Sequence, residues 1–415
     1  MRFDGQIDIR LQCQGTLRDS RVCAVTVESS RQTQTAALLS GRTVPEALQL
    51  IGMVFGICGN AQSVAAVRTL EAAMGVKPDP DTDQVRQAVT DIETLREHLW
   101  RILLGWPAHT ESTPDHATLA QVLSSKQQVE QALGGLEHWL SPGATPRALD
   151  QTGIIACLEE LQTLIETRVL GVSCDEWLKL ASLEDLITLI EQHPEDATPA
   201  VRLMRRIIAR EWTHSCVSPM QALPAIHFGN ASELIEQMQD PGFIARPQWQ
   251  EHPCESTSFS RSRVPLTQAL RRQSGSALLV RATALLSEVA LLTLRLTRFF
   301  ASRPLWDAAY PQVETAFVAT PGQALGQVCA ARGQLFHWAS VSTADSADGK
   351  PRISEYRILA PTEWNFHPAG VIPQALAGLA GHADDIRQQA ALLIELVDPC
   401  VGYQLTLMNG DNAHA

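Results

Sequence analysis

Two cysteines stand singly in settings that look built for pairs: Cys58 in MVFGICGNAQ and Cys400 in LVDPCVGYQL, near opposite ends of a 415-residue chain. Each can supply a soft thiolate to a transition metal, or only a small apolar side chain to the core. The other cysteines, at positions 13, 23, 157, 174, 216, 254 and 329, show no C-x-x-C spacing. In a reducing compartment they read as small buried residues or inert surface thiols. His98, His138 and His214 lack a second ligand at metal spacing. There is no G-x-S-x-G, no S-x-x-K with its companions and no phosphate-binding G-x-x-x-x-G-K-[ST] loop, so a nucleophilic enzyme lacks its parts.

The elements that must position the two cysteines are mostly helices. From Thr43, TVPEALQLIGMVFGICG has helical spacing, with Thr43 as N-cap and Pro45 and Glu46 in the first turn. Cys58 therefore falls near the end of one helix or the start of the next. Further helices are predicted over 62–74, 83–104, 118–140, 150–170, 182–192 and 199–212, separated by polar, Pro- and Gly-containing loops. The most apolar run, 276–294, is interrupted by Arg281 and Glu288, which a membrane span would have to bury. It reads as a core helix. Residues 7–30 read as an antiparallel strand pair, and LFHWASVSTADSADGKPRISEYRILAP as two strands joined by a polar turn. An irregular PTEWNFHP and helical pieces around 373–379 and 384–395 lead to Cys400.

The expected class is mainly α with small β elements: a helical core with short antiparallel strands near both termini. One domain over 1–415 is expected, with the strand pair in 1–35, the helical core in 43–300, and strands plus the Cys400 segment in 325–415. With 45% hydrophobic residues the chain can bury a large core. A net charge of −12 and the absence of any basic stripe argue against nucleic acid. MRFDGQIDIRLQCQG has no apolar signal region, so a cytoplasmic location and no membrane insertion are expected.

Five stretches together resemble the large subunit of nickel–iron hydrogenases. MRFDG resembles the opening R-I-E-G-H of that family. LLSGRTVPEALQLIGMVFGICGNAQSVAAVRTLE resembles the segment that ends in R-x-C-G-x-C-x-x-x-H and A-x-V-R-A-L-E. ARGQLFHW resembles A-P-R-G-x-L-x-H-W, EYRILAPTEWNFHP resembles Y-Q-x-x-x-P-T-T-W-N-x-x-P, and LVDPCVGYQLT resembles D-P-C-x-x-C-x-x-H.

The departures from that pattern say more than the matches. With Val67, Arg68 and Glu71 in register, Cys58 takes the place of the second cysteine of its pair. The first is Phe55, the preceding arginine is Met53 and the following histidine is Gln62. At the other end Cys400 takes the first place, Tyr403 the second, and Thr406 replaces the final histidine. In the family, four thiolates hold nickel, and two of them bridge to an iron carrying cyanide and carbon monoxide. The resemblance implies that Cys58 is a bridging-type thiolate and Cys400 a terminal one. Nickel needs thiolates that Phe55 and Tyr403 do not supply, whereas an iron that already carries three diatomic ligands needs only two.

By the same resemblance, Arg332 stands where an arginine lies beside the cyanides, and Asp398 where a neighbouring acid orients it. For Arg332 an ordinary salt bridge is the alternative. Asp4 matches the acid of R-I-E-G-H but is one methylene shorter, and Gln62, Tyr403 and Cys329 are further candidates near the site. His337 reads as a satisfied core histidine. With Thr406 at the cleavage motif, no C-terminal trimming is expected.

This pattern of loss resembles the HupK/HoxV-type hydrogenase assembly proteins, as does LREHLWRILLGWP. The function it implies is a non-catalytic scaffold that transiently carries an Fe(CN)2(CO) fragment without nickel. Its partners would be a small HypC-type chaperone and the apo hydrogenase large subunit. A metal-free interaction module is the alternative, and a redox enzyme ranks last.

Overall fold

The computed structural model describes residues 5–31, 35–194, 197–302, 314–343 and 349–409. About 53% is helix and 17% strand, so the class is mainly α with small β elements, as expected.

Strands β1 (Ile7–Gly15) and β2 (Ser20–Ser29) pair antiparallel. Ile7, Ile9, Leu11 and Cys13 alternate into the core, as the period of a half-buried strand requires. Helix α1 (Val44–Val54) starts at Thr43, whose backbone N–H donates to Glu46 Oε2 at 2.8 Å. Helix α2 (Gly59–Ala73) is buried on nearly every face. Helix α3 (Pro80–Trp100) is capped by Asp79, which accepts from the N–H groups of Asp81 and Thr82, and widens into a π-type turn over Arg101–Gly105.

The motif residues that gave Cys58 its register are buried ion pairs. Arg68 of α2 donates to both carboxylate oxygens of Asp83, at 2.8 and 3.0 Å, and to the Gln327 carbonyl. Glu71 receives both arms of Arg86 at 2.7 and 2.9 Å, and also the Gly143 N–H. Both pairs lock α2 against α3.

The helix expected over 118–140 runs instead over His116–Ala132. Its last turn ends where the buried Trp139 indole folds back and donates to the Leu133 carbonyl at 3.0 Å. Gly134 and Gly135, at φ 74° and 83°, close the helix there by returning their N–H groups to the Gln131 and Glu130 carbonyls at 2.8 and 2.9 Å.

The predicted core helix is observed over Leu278–Phe300. Its two charges are buried but paired. Arg281 meets Glu255, which ends the short strand β4 (Cys254–Glu255) beside β3 (Gln221–Ala222). Glu288 receives Arg261 at 2.6 and 2.7 Å, Ser258 at 2.6 Å and His98 at 2.9 Å. Among the described residues, no helix is long and apolar enough to cross a membrane.

Where two strands were read from the sequence, the structure has a four-stranded antiparallel sheet: β5 (Ala316–Thr320), β6 (Gln323–Ala330), β7 (Gly333–Ser342) and β8 (Arg352–Leu359), in that order. The β7–β8 turn at 344–348 lies outside the described residues. This sheet sits directly on α2. A Cβ at Gly326 would come within 2.3 Å of Thr69 Oγ1 and 2.8 Å of the Ala65 carbonyl, so only glycine allows the approach.

After the helix Ala383–Val397, the chain passes Cys400 and enters β10 (Tyr403–Asn409). Strand β10 runs parallel to β1, with Ile7 opposite Tyr403, in a sheet of order β10-β1-β2-β9, where β9 is Ala380–Gly381. The sequence reading had no strand there. This pairing draws the C-terminal segment across the molecule.

Candidate metal-binding site

Cys58 occupies the position just before α2, where a side chain normally caps the first turn. Here Glu93 of α3 does so instead: its two oxygens accept from the Asn60 and Ala61 N–H groups, each at 2.9 Å. The Cys58 sulfur is thereby left for other work. Arg96 holds the preceding loop by donating to the Ile57 carbonyl at 3.0 Å.

Arg332 lies in the turn between β6 and β7. Its Nη1 donates to Cys58 Sγ at 3.1 Å and its Nη2 to Glu97 Oε2 at 2.9 Å, while Nε lies 3.3 Å from Asp398 Oδ2. One planar fork thus ties α2, α3 and the C-terminal segment. The turn itself is fixed. Asn365 Nδ2 donates to the Arg332 carbonyl at 2.9 Å and to the Ser256 carbonyl at 2.8 Å, and Arg261 donates to the Ala331 carbonyl. A Cβ at Gly333 would fall 1.9 Å from the Ser256 oxygen, and φ is +136° there, so the R-G of ARGQLFHW has a backbone reason.

Asp398 ends the helix Ala383–Val397 in a left-handed conformation, φ 60° and ψ 85°, immediately before Pro399. Such backbone costs of order 1–3 kcal/mol. Arg332 on one side and Arg101 on the other hold its carboxylate there, and Arg101 also reaches Glu395 at 3.0 Å. Two residues on, the Cys400 sulfur accepts from the Thr362 hydroxyl at 3.1 Å.

Electrostatically the two thiols belong to one site. Burial pushes the Cys58 thiol up to about 12, with Arg332 pulling it down and Glu93, Glu97 and Cys400 adding to the rise. Burial works against the Arg332 charge, yet Cys58, Glu97 and Cys400 together raise its pKa above the ordinary guanidinium value. Cys58 is therefore a protonated thiol near neutral pH, and a metal cation binding there must displace its proton. Among the described residues, no group of three or more His, Cys, Asp or Glu side chains is arranged to hold a metal ion. Two sulfur donors beside a guanidinium are what this site offers.

Cys58, Cys400, Arg332 and Asp398 thus come together from three distant parts of the chain. Gln62 lies one turn beyond Cys58, its N–H donating to the Cys58 carbonyl at 3.0 Å. Its amide oxygen meets His337 Nε2 at 2.8 Å, and His337 Nδ1 meets the Tyr356 hydroxyl at 2.7 Å. Burial pushes His337 down to about 3, so the ring is neutral. An amide oxygen only accepts, so Nε2 carries the ring proton and Tyr356 donates to Nδ1. His337 is a satisfied core histidine, and Gln62 keeps only its NH2 group for a ligand.

Tyr403 heads β10, half-buried; burial and then Glu395 raise its pKa to about 12, against the pull of Arg101. Cys329 is placed apart. It pairs across β6–β7 with Gln334, which donates to the Leu223 and Pro224 carbonyls, while its neighbours Val328 and Ala330 share the other face with Cys58. Strand alternation turns it away. Burial raises its thiol pKa, and the charges bearing on it are Arg261, Glu288, Asp91 and Arg295, neither Cys58 nor Cys400. Asp4 lies outside the described residues.

The sequence reading missed Glu93, Glu97, Thr362, Arg31 and Glu363. Of these, Glu97 lay in LREHLW, and Thr362 and Glu363 in PTEWN, stretches already singled out as motifs.

No family model matches the chain. It is 30% identical over 388 residues to the hydrogenase expression/formation protein HoxV of Cupriavidus necator, covering 91% of this chain and 92% of that protein. It is 26% identical over 423 residues to the hydrogenase expression/formation protein HupK of Bradyrhizobium diazoefficiens, covering 100% and 99%. The fold is similar to the Ni-Fe-Se hydrogenase of D. vulgaris Hildenborough, with a TM-score of 0.63 at 13% identity over 95% of this chain and 98% of that one. The Ni-Fe-Se hydrogenase of Desulfomicrobium baculatum gives 0.62 at 15% identity, over 93% and 97%.

Proposed function

The chain belongs to the HoxV/HupK family of hydrogenase expression/formation proteins, whose role is in hydrogenase maturation, and on that premise we propose that it is a non-catalytic scaffold for the iron half of the cofactor. Its cargo is an iron carrying cyanide and carbon monoxide. Cys58 and Cys400 hold the iron, and Arg332 donates to an anionic diatomic ligand. Asp398 and Glu97 keep that fork in place.

The observation that supports this reading most is the Arg332 fork on the Cys58 sulfur at 3.1 Å, beside a second thiol. A bare ion would need more protein ligands than these two sulfurs, but an iron that brings three diatomic ligands is completed by them. Nickel has no place in the proposal, because Phe55 and Tyr403 stand where its further thiolates would be. A two-sulfur site also suits release. The donor partner is a small HypC-type chaperone and the acceptor the apo hydrogenase large subunit, all within the cytoplasm.

A second reading, a metal-free module that mimics the large subunit, is favoured by the exposed Met53, Val54 and Ile57 beside Cys58. Cellular hydrogenase activity separates the two. Strains in which the chromosomal copy carries Cys58→Ala or Cys400→Ala should lose activity to the level of a deletion strain, with the variant protein still present. Wild-type activity in both strains would favour the metal-free module.

A further inference from the structure

Arg31 lies just beyond β2, on an element separate from the β6–β7 turn that holds Arg332. Its Nη1 donates to Glu363 Oε1 in the helix Pro361–Asn365; the Arg31 side chain is 19% exposed and that of Glu363 8%. Glu363 directly follows Thr362, the residue that donates to Cys400. In PTEWN it also stands where the hydrogenase pattern P-T-T-W-N has a neutral threonine, so this chain carries a buried acid there, met by Arg31.

The pair leaves one carboxylate oxygen open. Among the described residues Glu363 Oε2 is buried without a hydrogen-bond partner, and Arg31 bonds Glu363 through Nη1 to Oε1. Burial works against the Arg31 charge, while Glu363, Cys400 and Cys58 hold it in place, so both thiols lie within its electrostatic reach.

We propose that Arg31 is a second anion-recognising residue of the site, so that two guanidinium forks on separate elements, Arg332 and Arg31, receive a cargo bearing anionic ligands on two sides. This rests on the iron-carrier reading and extends it to selectivity. Two donor forks beside two sulfurs favour an iron that carries anionic acceptors over a bare divalent ion, which offers the forks nothing to accept their hydrogen bonds.

The test is infrared spectroscopy in the cyanide and carbonyl region, with iron content per chain, on Arg31→Ala and Arg31→Lys proteins purified without air from a host that makes the maturation machinery. Loss of one charge-assisted hydrogen bond predicts about tenfold less retained iron in Arg31→Ala. Arg31→Lys should retain an intermediate amount, with displaced cyanide bands, because lysine keeps the charge and loses the fork. Wild-type band positions and iron content in both variants would overturn the proposal for Arg31 alone. A wild-type protein without bands would overturn the carrier reading beneath it. If Arg31→Ala does not fold, Arg31→Lys decides: displaced bands support the role, and unchanged bands with full iron reject it.

Discussion

Arg332→Ala is expected to strip the protein of iron and to lower its unfolding free energy by about 3–5 kcal/mol, the cost of leaving a buried cluster of carboxylates one cation short. The side chain is 4% exposed, and the acids it serves, Glu97 and Asp398, are 7% and 9% exposed. Removing the cation leaves both carboxylates facing each other's field and the Cys58 sulfur without its donor. Asp398 also loses one of the two arginines that hold its left-handed backbone. Arg332→Lys separates the two effects. A lysine keeps the charge but cannot reach Cys58, Glu97 and Asp398 from one rigid plane, so it should fold with a smaller loss of stability and still retain little iron. Denaturant unfolding and iron analysis on both variants check this; full iron retention in Arg332→Lys would remove Arg332 from the binding role and leave it a structural salt bridge.

Arg86→Ala is expected to be as destabilising, again about 3–5 kcal/mol, but with no effect on iron per folded molecule. Arg86 is fully buried and Glu71 1% exposed. Besides its two bonds to Glu71, Arg86 donates to the Trp139 and Ser141 carbonyls at 2.6 and 3.0 Å, pinning the segment that follows the helix His116–Ala132. Replacing Glu71 and Arg86 together with methionine should cost less than Arg86→Ala alone, since no uncompensated charge is then left buried. A double methionine variant as unstable as the sum of Glu71→Met and Arg86→Met would show that the pair is not coupled, contrary to its geometry.

These two arginines mark what a sequence can and cannot disclose. Arg68 and Glu71 were legible as motif residues, and helical spacing put Cys58 near the end of one helix or the start of the next, where it sits just before α2. Their partners Asp83 and Arg86 were not, because a buried ion pair across two helices leaves no local pattern. Helix periodicity and caps gave α1, α2, α3 and the long helix Leu278–Phe300, the last on the strength of the same Arg281 and Glu288 that the core now pairs. The parallel pairing of β1 with β10 had no signal, since its two strands lie at opposite ends of the chain. Strands β5 and β6 were also missed as members of a larger sheet, their short apolar runs being ambiguous in isolation. At the site, the resemblance supplied Cys58, Cys400, Arg332 and Asp398. Glu93, which frees the Cys58 sulfur by capping α2 in its place, could be found only from the fold. So could Arg31, which no motif contained.

In the proposed scaffold two sulfurs hold one iron fragment. Infrared spectroscopy of the wild-type protein, purified without air from a host that makes the maturation machinery, beside Cys58→Ala and Cys400→Ala, tests that most directly. The expected result is cyanide and carbonyl bands in the wild type that vanish in both variants. A silent wild-type spectrum from a protein that still binds its partners, or bands undiminished in both variants, would contradict it.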